Sequence, residues 1–217
     1  MAVRILHKQI EVVDVLAELG LRAEILRDAI VAGETARDGC TENDAINAPG
    51  FYAYAGTIRS LRDQLVGGEG WSRRDEQGLP MVVSPDGKIG IVVGSGDEAT
   101  GNHEVSPRSK HSKGPATVAV INRNVQLQLW SSDNVTDPVD VEIDPNIRTY
   151  VLLRFRDRDT VYCELSVPSG SDLEKRINKW SERIILAPIS LVPGPEFQGD
   201  GRDRGEKIEV VVSRRRA

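Results

Sequence analysis

Apolar residues recur at helical spacing over the first third of the chain. Ile10, Val13 and Ala17 share a face that Leu16 and Leu19 widen. After Gly20 a second stripe runs through Leu21, Ile25, Leu26, Ala29 and Ile30, and the segment is expected to end near Gly33. The stretch GETARDGCTENDAINAPG has no apolar period and several turn formers, which predicts a long loop over 33–50. Tyr54, Ile58, Leu61 and Leu65 then form a stripe that predicts a third helix, stopped by Gly67 and Gly68. EGWSRRDEQGLP reads as a polar connector anchored by Trp71.

From residue 80 the period changes to two. MVVS and IGIVV predict strands joined by the turn PDGK, in which proline presets φ and glycine takes the left-handed position. Residues 94–115 read as a long loop. ATVAVI and VQLQLW read as strands, with Val125, Leu127 and Leu129 alternating against Gln126 and Gln128. Beyond a Pro- and Asp-rich connector, TYVLLRF and TVYCELSVP flank RDRD as a second hairpin. Ser171-Asp-Leu-Glu174 has the form of a capping box, and Leu173, Ile177, Trp180 and Ile184 predict an amphipathic helix after it. KIEVVVS predicts a last strand. The expectation is an α+β fold: N-terminal helices over 1–66, then a β-rich region over 80–217 with a mainly antiparallel sheet and one late amphipathic helix packed on it. The two regions are expected to form one compact unit.

Composition narrows the class. A net charge of −5 excludes a generally basic nucleic-acid binder. No apolar run approaches a membrane span, and Glu11 and Asp14 so near the start predict no secretory signal. Cys40 and Cys163 make neither a disulfide framework nor a Cys-x-x-Cys metal spacing, so a reducing cytoplasm is expected.

Two basic segments stand out against the acidic background. The loop NHEVSPRSKHSKGP carries Arg108, Lys110 and Lys113, and the chain ends on Arg214, Arg215 and Arg216. These six residues are the candidate binding set for a polyanion or an acidic protein surface. Residues 9–32 give two helices around Leu19-Gly20-Leu21, the arrangement of a helix-turn-helix. Glu24 and Asp28 accompany Arg22 and Arg27 on the second helix, so it presents no basic recognition face.

Catalytic patterns are sparse. GSGDEATG has the glycines of a phosphate loop, but Asp97 and Glu98 repel phosphate and no Lys-Ser or Lys-Thr pair follows. No Gly-x-Ser-x-Gly elbow occurs, and three scattered histidines define no zinc site. Asp157 and Asp159 at the second hairpin turn, Glu164 in the next strand and Lys175 beyond it resemble part of the core of PD-(D/E)xK nucleases over residues 150–185. Such a resemblance implies Mg²⁺ or Mn²⁺ held by the carboxylates. Ser166 stands where that family's lysine is expected, so Lys175 would have to replace it. The other reading of Glu164 is a solvent-facing residue or a partner for Arg154 across the hairpin.

The residues thus favour a non-catalytic cytoplasmic adaptor or subunit without a cofactor. It would bind a larger protein through its helical N-terminus, with nucleic acid as a second partner class through the basic loop and tail. A divergent metal-dependent nuclease is the alternative.

Overall fold

A computed structural model describes residues 3–130 and 146–192. In chain order these form β1 (Arg4–Leu6), α1 (Gln9–Glu18), α2 (Ala23–Asp38), α3 (Ala48–Gly68), β2 (Ser72–Glu76), β3 (Leu79–Val83), β4 (Ile89–Ser95), α4 (Pro115–Trp130), β5 (Arg148–Asp157), β6 (Thr160–Ser171), β7 (Ile177–Ile185) and β8 (Ile189–Ser190). The strands make one mixed sheet in the order β1-β7-β6-β5-β4-β3-β2, with β8 added to β6. Pairing is antiparallel except for β1 with β7 and β4 with β5. The α+β class and the mainly antiparallel sheet stand as expected.

Alternation along the strands builds two cores. On one face Val82, Ile91, Leu152 and Leu165 join Leu16, Leu26, Ile30, Leu61 and Leu65 from α1, α2 and α3. On the other face Met81, Val92, Val151 and Leu153 join Val120 and Ile121 of α4. The central strands β3, β4, β5 and β6 therefore spend both of their faces on burial, which is why their apolar runs are nearly continuous. The region 1–66 contributes to the same cluster as the central strands.

α2 and α3 approach unusually closely. A Cβ on Gly33 would lie 2.1 Å from Thr57 Oγ1 and 2.4 Å from the Ala53 carbonyl oxygen. Gly33 is therefore a mid-helix contact point, and α2 continues past the expected end to Asp38. Five further residues of sequence read as loop are helical because the side that faces α3 is made of small residues.

Two segments depart from expectation. Residues 115–130 form a helix rather than two strands: Thr117, Val120, Ile121, Arg123 and Asn124 are buried on it, and the polar residues among them hide the helical period. The β-alternation of Val125 and Leu127 against Gln126 is incidental to that period.

The predicted helix over 171–184 is instead a turn and β7. Ile177 and Trp180 belong to the α4-side core, whereas Ile184 belongs to the opposite one, so these residues cannot share a single helix face. Register shifts between β6 and β7 allow the change of side. Leu173 is fully exposed, at 103%. Asp172, not Ser171, organises the turn, accepting from the backbone N–H groups of Glu174 and Arg176 at 2.9 and 3.0 Å. The late helix packed on the sheet is α4.

The first hairpin turn forms as read. Gly87 has φ +72°, Gly87 N–H donates to the Ser84 carbonyl at 2.9 Å, and Asp86 accepts from Ser84 Oγ at 2.6 Å. The Ser84 hydroxyl, and after it the Lys88 N–H at 3.1 Å, hold the Asp86 carboxyl below its usual range. SRRDE, read as connector, is β2, the outermost strand beside β3. The predicted strand KIEVVVS lies outside the described residues.

Candidate functional site

β4 and β5 run parallel and are joined through α4, so their C-terminal ends emerge side by side. Ligand sites favour such positions because the connections leave a crevice between them. Here the crevice is a cleft of about 730 Å³ between those strand ends, the loop before α3 and the segment leading into α4.

Its lining is one-signed. Arg37, Lys110, Lys113, Arg154 and Arg156 contribute five cations, His111 a sixth titratable nitrogen base, and no Asp or Glu is among the described lining residues. Phe51, Tyr54 and Phe155 add aromatic rings.

Three of the cations are compensated from behind. Glu34, buried on α2, accepts from Arg154 Nη1 at 2.5 Å and from Arg156 Nη1 at 3.2 Å, with Arg37 3.8 Å away. Asp38 takes a second contact from Arg156 Nη1 at 2.5 Å. Burial presses the pKa of Arg154 down, with Glu34 pulling the other way. The Nε of Arg154 is buried without a hydrogen-bond partner.

Lys110 and Lys113 differ. Neither ammonium enters an ion pair among the described residues. Burial lowers the pKa of Lys113. His111 is lowered by burial first, then by the charges of Lys110, Lys113 and Arg176. A cluster that resists its own protonation gains from an anion placed within it.

The backbone around the loop fixes these cations. Gly96 bridges Ser109 in antiparallel fashion, Lys110 N–H donates to the Ser95 carbonyl at 2.9 Å, and Lys113 N–H donates to Lys175 O at 2.8 Å. Asp97 accepts from Ala99 N–H at 3.2 Å and Arg108 N–H at 3.1 Å, closing the loop on itself rather than facing a ligand. Trp180 Nε1 donates to the Pro107 carbonyl at 2.8 Å. GSGDEATG is thus the entry of a pinned loop that presents Lys110 to Lys113.

Arg108, predicted to bind, is instead spent on the fold. Its Nε donates to Asp172 at 2.6 Å and Nη2 reaches Glu174 at 3.1 Å, and Asp172 chiefly raises its pKa. Arg214, Arg215 and Arg216 lie outside the described residues.

The four residues of the nuclease reading are not brought together. Asp157 and Asp159 sit at the β5–β6 turn, and Glu164 lies four residues into β6, about 13 Å along the strand. Lys175 is in the turn at the opposite end of β6, in a left-handed conformation.

Glu164 is fully buried and its oxygens are occupied: Arg183 Nε at 3.0 Å, Arg183 Nη2 at 2.6 Å, Ser166 Oγ at 2.8 Å and Gly101 N–H at 3.0 Å. It neither faces solvent nor pairs with Arg154, whose partner is Glu34. Among the described residues no group of three or more His, Cys, Asp or Glu could hold a metal ion. Arg183 also donates to Val105 O and Asn102 O, both at 2.9 Å, so the pair anchors the loop after β4.

Sequence reasoning found Lys110 and Lys113 from local basicity. It missed Arg37, Arg154 and Arg156, because only the fold gathers residues so distant in the chain; His111 lies within the basic segment itself, and Phe51 reads from sequence as a partner anchor or a core residue. Comparison with protein-family models, curated proteins and solved structures finds no match to this chain. Among the described residues no helix is long and apolar enough to cross a membrane.

Proposed function

We propose that this protein is a non-catalytic binding protein whose cleft takes a phosphate-bearing anion. One observation carries the reading: in a chain of net charge −5, the described lining of this cleft holds five cations and no carboxylate. Glu34 and Asp38 neutralise part of this from behind, which leaves Lys110 and Lys113 as the charge available to a ligand. Concave walls of low dielectric strengthen that charge relative to the same lysines on an open surface. No carboxylate is among the described lining residues, and the nearby Glu34 and Asp38 are held by Arg154 and Arg156, which favours binding over carboxylate-assisted hydrolysis.

Isothermal titration with tripolyphosphate tests the proposal. Micromolar to millimolar binding by the wild type, lost in Lys110→Ala/Lys113→Ala, is expected. Equal binding by both proteins, or none by the wild type, sinks it.

A second reading, the protein-binding adaptor, keeps one support. α1 turns Ile10 outward at 77% exposure with Val13 beside it, an apolar pair one turn apart on an otherwise polar face. The adaptor reading requires Ile10→Glu/Val13→Glu to release a stoichiometric partner from the purified complex while leaving phosphate binding intact. Retention of that partner by the variant removes it.

A further inference from the structure

The cationic cleft does not end at Phe51. A second hollow of about 600 Å³ begins on the other side of the same ring, and the two share Phe51 and Tyr54 as their common wall. Ile58 and Val66 of α3 and Pro80 of β3 line the second hollow together with Arg59, Arg62 and Arg73 and one carboxylate, Asp63, while Arg62 is tied to Asp75. Arg59 and Arg73 are exposed and enter no ion pair among the described residues. Phe51, in the first turn of α3, is 62% exposed. Tyr54 is half-buried, and burial raises its hydroxyl pKa.

The order along this surface is two unpaired lysines, two aromatic rings, then two unpaired arginines. We infer that the two hollows form one trough for a single-stranded nucleic acid, with phosphates at Lys110 and Lys113 and again at Arg59 and Arg73, and a base against Phe51. The inference rests on the phosphate-binding reading and specifies its ligand.

Stacking on an exposed ring needs a base whose face is free, which a single strand offers and a duplex does not. The cations line two concave hollows rather than a convex element able to enter a groove. A mononucleotide would leave one pair of cations unused. The acidic remainder of the chain repels nucleic acid elsewhere and confines binding to the trough.

Fluorescence anisotropy of the full chain with 5′-labelled dT12 tests this. Binding should weaken with salt at a log–log slope of about −3, roughly 0.7 for each of the four unpaired cations, or about fiftyfold between 50 and 200 mM salt. Phe51→Ala should weaken binding by about tenfold or more at unchanged slope. Arg59→Gln/Arg73→Gln should flatten the slope by about 1.4; both arginines are exposed, so this variant reads contact rather than folding. An unlabelled 12-base-pair duplex should compete poorly.

Equal competition by the duplex overturns the single-strand assignment. So does an unaffected Phe51→Ala variant, which is the result expected if the C-terminal arginines carry the binding. If tripolyphosphate binds at the lysines and dT12 binds no better, this inference fails while the phosphate reading stands; if neither binds, both fail.

Discussion

Gly56 of α3 sits against Gly33 of α2 so closely that a Cβ on Gly56 would come within 3.0 Å of the Gly33 Cα. Two glycines at one crossing let the backbones of two helices touch, and the Phe51 end of α3 is positioned by that contact. Alanine in a helix normally gains up to about 1 kcal/mol over glycine. At Gly33 the clash with the Ala53 carbonyl reverses the sign, and Gly33→Ala should lose about 3 kcal/mol. Gly67→Ala, where nothing lies within 4 Å, should gain roughly 0.5 kcal/mol. Urea unfolding of both variants measures the contrast, and a stable Gly33→Ala protein would show that the crossing is not tight.

Arg183 and Glu164 pose a different problem, since among the described residues each is the other's only ion-pair partner, and both are buried. Arg183→Met leaves a buried carboxylate uncompensated and should cost about 3–5 kcal/mol. Glu164→Leu/Arg183→Met should recover most of it, because removing both charges removes the desolvation penalty too. Amide exchange should quicken around Asn102 and Val105 in both variants, since both lose the guanidinium that those carbonyls accept from. Unchanged exchange in the double variant would mean that the loop holds without this pair.

Lys113 makes function and stability oppose one another. Its pKa is lower folded than unfolded, so between that lowered value and about 10.5 the unfolded chain binds more protons, and stability rises with pH. Below the window the cost of the charge is fully present. Lys113→Met should therefore stabilise the ligand-free protein by about 1 kcal/mol at neutral pH while weakening anion binding. Thermal unfolding at pH 7 and pH 11 checks the sign, because the advantage should shrink at the higher value.

His111 predicts the pH dependence of binding. Burial and neighbouring cations hold it below its ordinary range, and a bound anion favours its protonated form. Affinity for a sulfated oligosaccharide, whose own charge is constant here, should rise as pH falls below about 6.5. His111→Gln should flatten that rise. A pH-independent wild type would place the ligand away from this ring.

Cys163 should be inert in the folded protein. Burial pushes its thiol up to about 12 and leaves it no exposed surface. Iodoacetamide at pH 8 should label Cys163 only after denaturation, whereas partly exposed Cys40 is reachable in the native state. Mass spectrometry of native labelling reads this directly; early modification of Cys163 would mean that β6 opens from the sheet.

The parts of the fold written in local chemistry were legible. α3, the Ser84–Lys88 turn and the β5–β6 hairpin follow from period, glycine and β-branched content, whereas α1 forms as a helix but buries Val12, Val15 and Leu16 and turns the expected face of Ile10, Val13 and Ala17 outward. α4 was hidden because Arg123 and Asn124 occupy core-facing positions: Asn124 bonds to Thr149 on both its backbone groups, and Arg123 reaches Glu76 at 2.8 Å. Polar residues satisfied by distant strands erase an apolar stripe. β7 was mistaken for a helix because bulges redistribute Ile177, Trp180 and Ile184 across two faces, which no local period records. The cleft is assembled from separate segments, among them 92–96, 110–113 and 154–156. Glu34 and Arg154 are 120 residues apart, and their pairing arises only when α2 is laid across β5.

The charged composition of β2 has a consequence for the protein's company with itself. A sheet's outermost strand offers unpaired backbone groups to any other extended chain, and a short, charged strand is a poor template for that addition. β2 is five residues long, and in Ser-Arg-Arg-Asp-Glu four of them carry charge. Self-association by strand exchange is discouraged there at high concentration. Arg73 would then be under two demands at once, keeping copies of the chain apart and drawing a strand of another polymer in.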